Sequence, residues 1–239
     1  PKGVKATDKA VGIIGAGRMG GVLATRLAGN WRLAIYDRNS NKAAAVAAAT
    51  GAVVPTSLVD AAACGMVILA VPDREVLSCI EEFNAIEQDL VVFNVATNVP
   101  QTLLESAAAN HIRCMSVKII GHAGEMALGL NPVIVVNEQP QPLIKMATQI
   151  FSSIGHVIVG QADLVAEINT VAAEKALEAA VCIEDELYRR GYKQAELIRS
   201  AISQVAAGIL KAYANNDLGP FAKEIVREVQ SKMSTNPRR

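Results

Sequence analysis

Val11-Gly-Ile-Ile-Gly-Ala-Gly-Arg-Met-Gly20 decides the fold. Four residues of strand character run into Gly15-x-Gly17-x-x-Gly20, and an apolar segment of helical period, Val22 to Leu27, follows at once. A dinucleotide requires this order. Gly15 permits the tight turn, Gly17 lets the backbone approach a pyrophosphate, and Gly20 lets the helix pack on the strand. The pyrophosphate then rests on the free N–H groups and positive dipole end of that helix. Asp37 ends a second strand 22 residues after Gly15, the spacing at which an acidic residue meets the adenosine ribose. Gly15, Ala16, Gly17, Arg18, Met19 and Gly20 are thus candidate cofactor-binding residues, with Asp37.

Outward from this stretch, short β-rich runs alternate with helical stretches, the mark of βαβ units and a parallel sheet. Strands are expected at 11–14, 33–36, 52–54, 66–71, 90–95, 113–117, 132–136 and 156–159. After Gly160 only helical periodicity remains, interrupted at Gly191 and at 215–220. The expected fold is an α/β Rossmann domain with a doubly wound, mainly parallel sheet over residues 1–160. A C-terminal all-helical domain, serving dimerisation and the substrate, covers 161–239. Three helices there bury little alone, which predicts a homodimer. The tail Ser234–Arg239 is expected to be disordered.

Composition narrows the function classes. Lys plus Arg and Asp plus Glu both total 23, so no basic field exists to hold nucleic acid or an anionic membrane. The longest apolar run, Ala43 to Ala49, is far short of a membrane span. The first ten residues lack the apolar centre of a signal peptide. Cys64, Cys79, Cys114 and Cys182 form no CxxC pair, which argues against disulfides and a metal site and for the cytoplasm.

In open α/β sheets the ligand lies beyond the carboxyl ends of the strands. That rule puts Ala70, Val71, Pro72 and Asn94 along the cofactor, Asn94 equally as a residue capping the turn at its strand end. Asp37 favours NAD by accepting from both ribose hydroxyls, whereas Arg38, with Lys42 behind it, suits a 2′-phosphate. The reading is NAD(P), leaning to NAD. Toward the substrate, Cys114-Met-Ser-Val-Lys118-Ile-Ile-Gly-His122 leaves the sheet on the ligand side. Lys118 is placed there to bind a carboxylate or supply a proton, and the imidazole of His122 to act as a general acid. Lys175 falls within the apolar stripe Leu164/Ile168/Val171/Ala179, where a charge needs a partner or a cleft. It is the third catalytic candidate.

The chain resembles the pyrroline-5-carboxylate reductase-like family within the 6-phosphogluconate dehydrogenase-like folds. The glycine stretch carries the resemblance, with Ala70-Val-Pro72, Ile112-Arg-Cys-Met115, Phe151-Ser-Ser-Ile-Gly155 and the helix start around Thr170. It implies a Rossmann domain followed by a helical dimerisation domain, and reduction of a cyclic imine by NAD(P)H. The substrate-side motifs depart from the family. Its Met-Pro-Asn reads Met115-Ser116-Val117, its Gly-Ser-Gly-Pro run reads Val171-Ala-Ala-Glu174-Lys175, and its Gly-Gly-Thr is missing. Three functions stay open: an NAD(P)H-dependent oxidoreductase reducing an imine or carbonyl of a small carboxylate-bearing substrate, a 3-hydroxyacid dehydrogenase using Lys175, and a non-catalytic dinucleotide-binding sensor or assembly protein.

Overall fold

The computed structural model describes residues 9–235; most of the tail Ser234–Arg239, and the first eight residues of the stretch weighed as a signal peptide, lie outside them. The chain divides into two compact units between Thr170 and Val171, inside a long helix rather than at Gly160.

The first unit is built on one sheet of seven strands. These are β1 (Ala10–Ile14), β2 (Arg32–Tyr36), β3 (Met66–Leu69), β4 (Leu90–Asn94), β5 (Ile112–Ile120), β6 (Val133–Asn137) and β7 (His156–Gly160). Their spatial order is β2-β1-β3-β4-β5-β6-β7, parallel except for the antiparallel β5–β6 pair. The order reverses at β1, between β2 and β3, so the connections diverge and open a crevice beyond the carboxyl ends of the strands. The expected strand at 52–54 is a single bridge, Val53 to Ala34. Pro55 and the turn into the next helix leave it no length to pair further.

Helices cover both faces of the sheet. Leu23, Ala24 and Leu27 of α1 (Arg18–Leu27) pack on one face with Ala43 of α2 (Ser40–Thr50), together with α6 (Ala123–Ala127) and α7 (Gln141–Phe151). The other face carries α3 (Leu58–Ala62), α4 (Asp73–Asn84) and α5 (Gln101–Ala107), whose Val76, Ile80, Phe83 and Leu104 are fully buried. Each buried Leu, Ile, Val or Phe contributes about 1.5–3 kcal/mol by leaving water. The two apolar layers therefore fix which strand ends are available to a ligand. The Rossmann reading holds.

Strand β5 runs on to Ile120, past the expected end at Val117. Val117, Lys118, Ile119 and Ile120 pair with Val136, Val135, Ile134 and Val133 of β6. Lys118 is thus a strand residue, not part of a segment leaving the sheet.

The division point falls in α8 (Leu164–Arg189). The second unit continues through α9 (Ala195–Ser200), a π-helical stretch Ala201–Ala206, α10 (Ala207–Ala214) and α11 (Pro220–Thr235). Large apolar side chains on these helices face water, among them Leu177, Val181, Val205, Leu210 and Phe221.

Candidate functional site

The glycine turn after β1 has the expected construction. Gly15 sits at φ +102°, and a Cβ there would lie 2.5 Å from the Ala70 carbonyl oxygen. At Gly20 an added Cβ would come within 1.8 Å of the Gly15 carbonyl oxygen, so α1 can meet the turn only without a side chain. Around Gly17 the space is open, with nothing within 4 Å of an added Cβ. Gly17 is the N-cap of α1, and no side chain caps that helix. Its first-turn N–H groups are left for an anion. A pyrophosphate fits this cradle.

Asp37 follows β2 and closes the loop. One carboxylate oxygen accepts from the Ala16 N–H and the other from the Asn39 N–H, both at 2.8 Å. The acidic residue thereby fixes the glycine turn, and each oxygen keeps a lone pair for a ribose hydroxyl. A cleft of about 290 Å³ runs from this point. Gly15, Gly17, Asp37, Arg38, Ala70, Val71 and Pro72, all expected from sequence, line it together with Lys42. A larger groove of about 840 Å³ lies along α1, α2 and α6 and is lined mainly by Gly and Ala with Arg18 and Arg26. It shares Gly17 but holds no strand residue, whereas the smaller cleft reaches Ile14 and Tyr36 at the carboxyl ends of β1 and β2, where ligands of open sheets lie, so the smaller cleft is the candidate site. Met19 packs half-buried against the core below the cradle.

Sequence reasoning missed Glu75 and Cys79, which line the cleft from α4. Glu75 pairs with Arg38 at 3.5 Å, while Arg74 approaches it at 4.0 Å. The available signal was position: the first turn of a helix that follows a strand at the sheet's reversal faces the ligand. Burial pushes the Cys79 thiol up to about 11, helped by Glu82 and Glu75. At neutral pH it is a protonated, apolar wall.

Asn94 and Lys118 belong to a polar cluster beneath the loop 95–100. Asn94 is fully buried; its oxygen accepts from the Ala96 N–H, and its amide faces the Ala96 and Val99 carbonyls at 3.5 and 3.4 Å. It organises the turn, as the alternative reading of this residue had it. Lys118 is also fully buried, and its ammonium donates to the same two carbonyls, at 2.8 Å for Val99. Desolvation lowers it from 10.5 to about 8, against the opposite pull of Asp163 and Asp73. Asp73 in turn accepts from the Asn98 backbone and amide, and Gln101 joins the loop to β5 through Ser116 N–H and the Cys114 carbonyl. Lys118 therefore holds a loop at the strand ends instead of standing open to a substrate.

His122 is the exposed N-cap of α6. Among the described residues no hydrogen bond or ion pair joins it to Lys118. In the second unit Lys175 is exposed and ion-paired with Glu178 one turn on. The stripe expected to bury it is itself exposed, with Leu164, Ile168 and Val171 about half accessible, so the ammonium reaches water. Among the described residues no cluster of three or more His, Cys, Asp or Glu could hold a metal ion. No helix among them is long and apolar enough to cross a membrane.

Residues 10–98 match the family described as NADP oxidoreductase, coenzyme F420-dependent. No curated protein sequence matches the chain. Its fold is that of a pyrroline-5-carboxylate reductase from Coxiella burnetii, with a TM-score of 0.68 and 15% identity over 95% of this chain and 92% of that one. It is also that of an imine reductase from Myxococcus stipitatus in complex with NADP+ (TM-score 0.65, 14% identity, 87% and 78% covered). A reductive aminase from Aspergillus terreus, in complex with NADPH and ethyl-5-oxohexanoate, shares it as well (TM-score 0.63, 15% identity, 87% and 76% covered). The resemblance read from the glycine stretch thus holds at the level of fold, with the NADP-oxidoreductase match over residues 10–98.

Proposed function

We propose that the protein is an NAD(P)H-dependent reductase of an imine or carbonyl group on a small, carboxylate-bearing substrate, preferring NADH. The observation that carries this reading is the cradle itself: an uncapped α1, open space over Gly17, and an acidic residue bonded to the Ala16 N–H in one continuous cleft. The fold neighbours solved with NADP+ or NADPH support a dinucleotide there, and their names support imine or amine chemistry.

A bound nicotinamide supplies a hydride. The chain's own residues do the rest. The α1 N-terminus and Gly17 hold the pyrophosphate, Asp37 takes the ribose hydroxyls, and Val71-Pro72 gives an apolar wall along the cleft. Asn94 and Lys118 hold the loop 95–100 firm at the end of β4, where the reactive ring belongs. His122 and Lys175, both exposed, remain the groups for proton delivery or a carboxylate contact. The helical unit serves dimerisation; the water-facing Leu177, Val181, Val205, Leu210 and Phe221 support a second copy as cover. Unpaired cysteines at 64, 79, 114 and 182 suit a reducing compartment such as the cytoplasm.

The test is a fluorescence titration with NADH and NADPH in parallel, then a screen of imines and 2- or 3-oxo acids as oxidants. Binding of NADH with turnover of one class supports the proposal. No binding of either form to folded protein would refute it.

A further inference from the structure

The sequence sets Asp37 against Arg38 and Lys42, and these three alone do not choose between a ribose 2′-hydroxyl and a 2′-phosphate. The structure adds a fourth charge. Glu75 reaches into the same cleft from the first turn of α4, and its carboxylate lies 3.5 Å from the Arg38 guanidinium. Arg38 is the residue suited to hold a phosphate, because a planar fork of N–H donors matches phosphate oxygens in pairs. Here one nitrogen of that fork already faces a resident anion in an ion pair. A 2′-phosphate, with a charge of about −1.5 to −2, would have to displace Glu75 or sit beside it. A 2′-hydroxyl meets neither penalty and leaves the pair intact.

Stability does not explain the pair. The Arg38 side chain is 62% exposed, and exposed pairs of this kind contribute little to folding. Its effect on an incoming dianion is direct, since both partners line the cleft. We propose that Glu75 is the specificity-determining residue of the adenosine end: by occupying Arg38 and adding a second carboxylate to that of Asp37, it selects NADH over NADPH. The inference rests on the dinucleotide reading above.

The experiment is a set of NADH and NADPH titrations on the whole chain, its E75Q and R38A variants, and the double variant. Glu75→Gln keeps the size of the side chain and removes the charge. NADPH affinity should rise about five- to tenfold in E75Q, with NADH affinity held within about twofold. Arg38→Ala should weaken NADPH binding more in the E75Q background than in the wild type, because only there is the guanidinium released. An unchanged NADPH-to-NADH ratio in E75Q, with both cofactors still binding, would overturn the inference. Failure of the wild type to bind either cofactor would remove the reading beneath it instead.

Discussion

Replacing Lys118 by Met removes a buried ammonium while keeping the length of the side chain, and the consequence depends on pH in a calculable way. Burial lowers the folded-state value from 10.5 to about 8, so the unfolded chain holds this proton more tightly than the folded one. Between those two values the unfolded state is protonated and the folded state is not, so stability rises with pH across that window. Taking both values through the linkage relation from about pH 7 to about pH 9.5 gives a gain of about 2 kcal/mol for the wild type. Met has no proton to bind, so K118M lacks this gain. Every other lysine and tyrosine titrates alike in both proteins and cancels in the difference. Urea denaturation of wild type and K118M at the two pH values checks the argument. The wild-type advantage should grow by about 2 kcal/mol at the higher pH. An advantage equal at both values would mean that the ammonium suffers no desolvation there, and the structural account of Lys118 would fall.

Two further perturbations test the framework around the cleft. Gly20→Ala places a Cβ against the Gly15 carbonyl, at 1.8 Å before relaxation, and should destabilise the fold by about 3 kcal/mol or more and abolish NADH binding; thermal melts and titrations on one preparation measure both. Arg26 donates to the carbonyls of Met126, Leu130 and Ile154 and to the Asn131 side chain, tying α1 to α6, to the segment after it and to the turn before β7. Arg26→Ala should cost about 2–4 kcal/mol by urea denaturation, and Arg26→Lys should restore little, since one ammonium cannot reproduce the fork.

The glycine turn and its acidic partner were legible because each of their demands is local. A turn at positive φ, a helix packed without a Cβ and an acidic residue at the next strand end are written within 27 residues, from Val11 to Asp37. Glu75 was not legible in this way. Its carboxylate meets Arg38 only because β3 lies beside β1, a neighbour relation set by the whole sheet. The exposure of the stripe on α8 was not legible for a different reason. Periodicity reports which residues share a helix face, but it cannot report whether anything lies against that face.

Lys118 joins these two lessons. Read forward from Cys114, the run Met-Ser-Val-Lys-Ile-Ile-Gly ends in turn-forming residues, and a lysine near such an end reads as a loop charge open to substrate. Whether the strand stops at Val117 or Ile120 is decided by β6, whose apolar run Val133 to Val136 supplies the pairing partners. Once the strand continues, alternation puts Lys118 on the face of Cys114 and Ser116, beneath the loop 95–100, where carbonyls of Ala96 and Val99 are its acceptors. An ammonium there costs desolvation that a neutral strand residue would not, and the loop it ties follows β4 at the carboxyl end of the sheet. Its two carbonyl acceptors offset part of that cost, and they bind Lys118 to the loop 95–100 instead of leaving it free at a strand end.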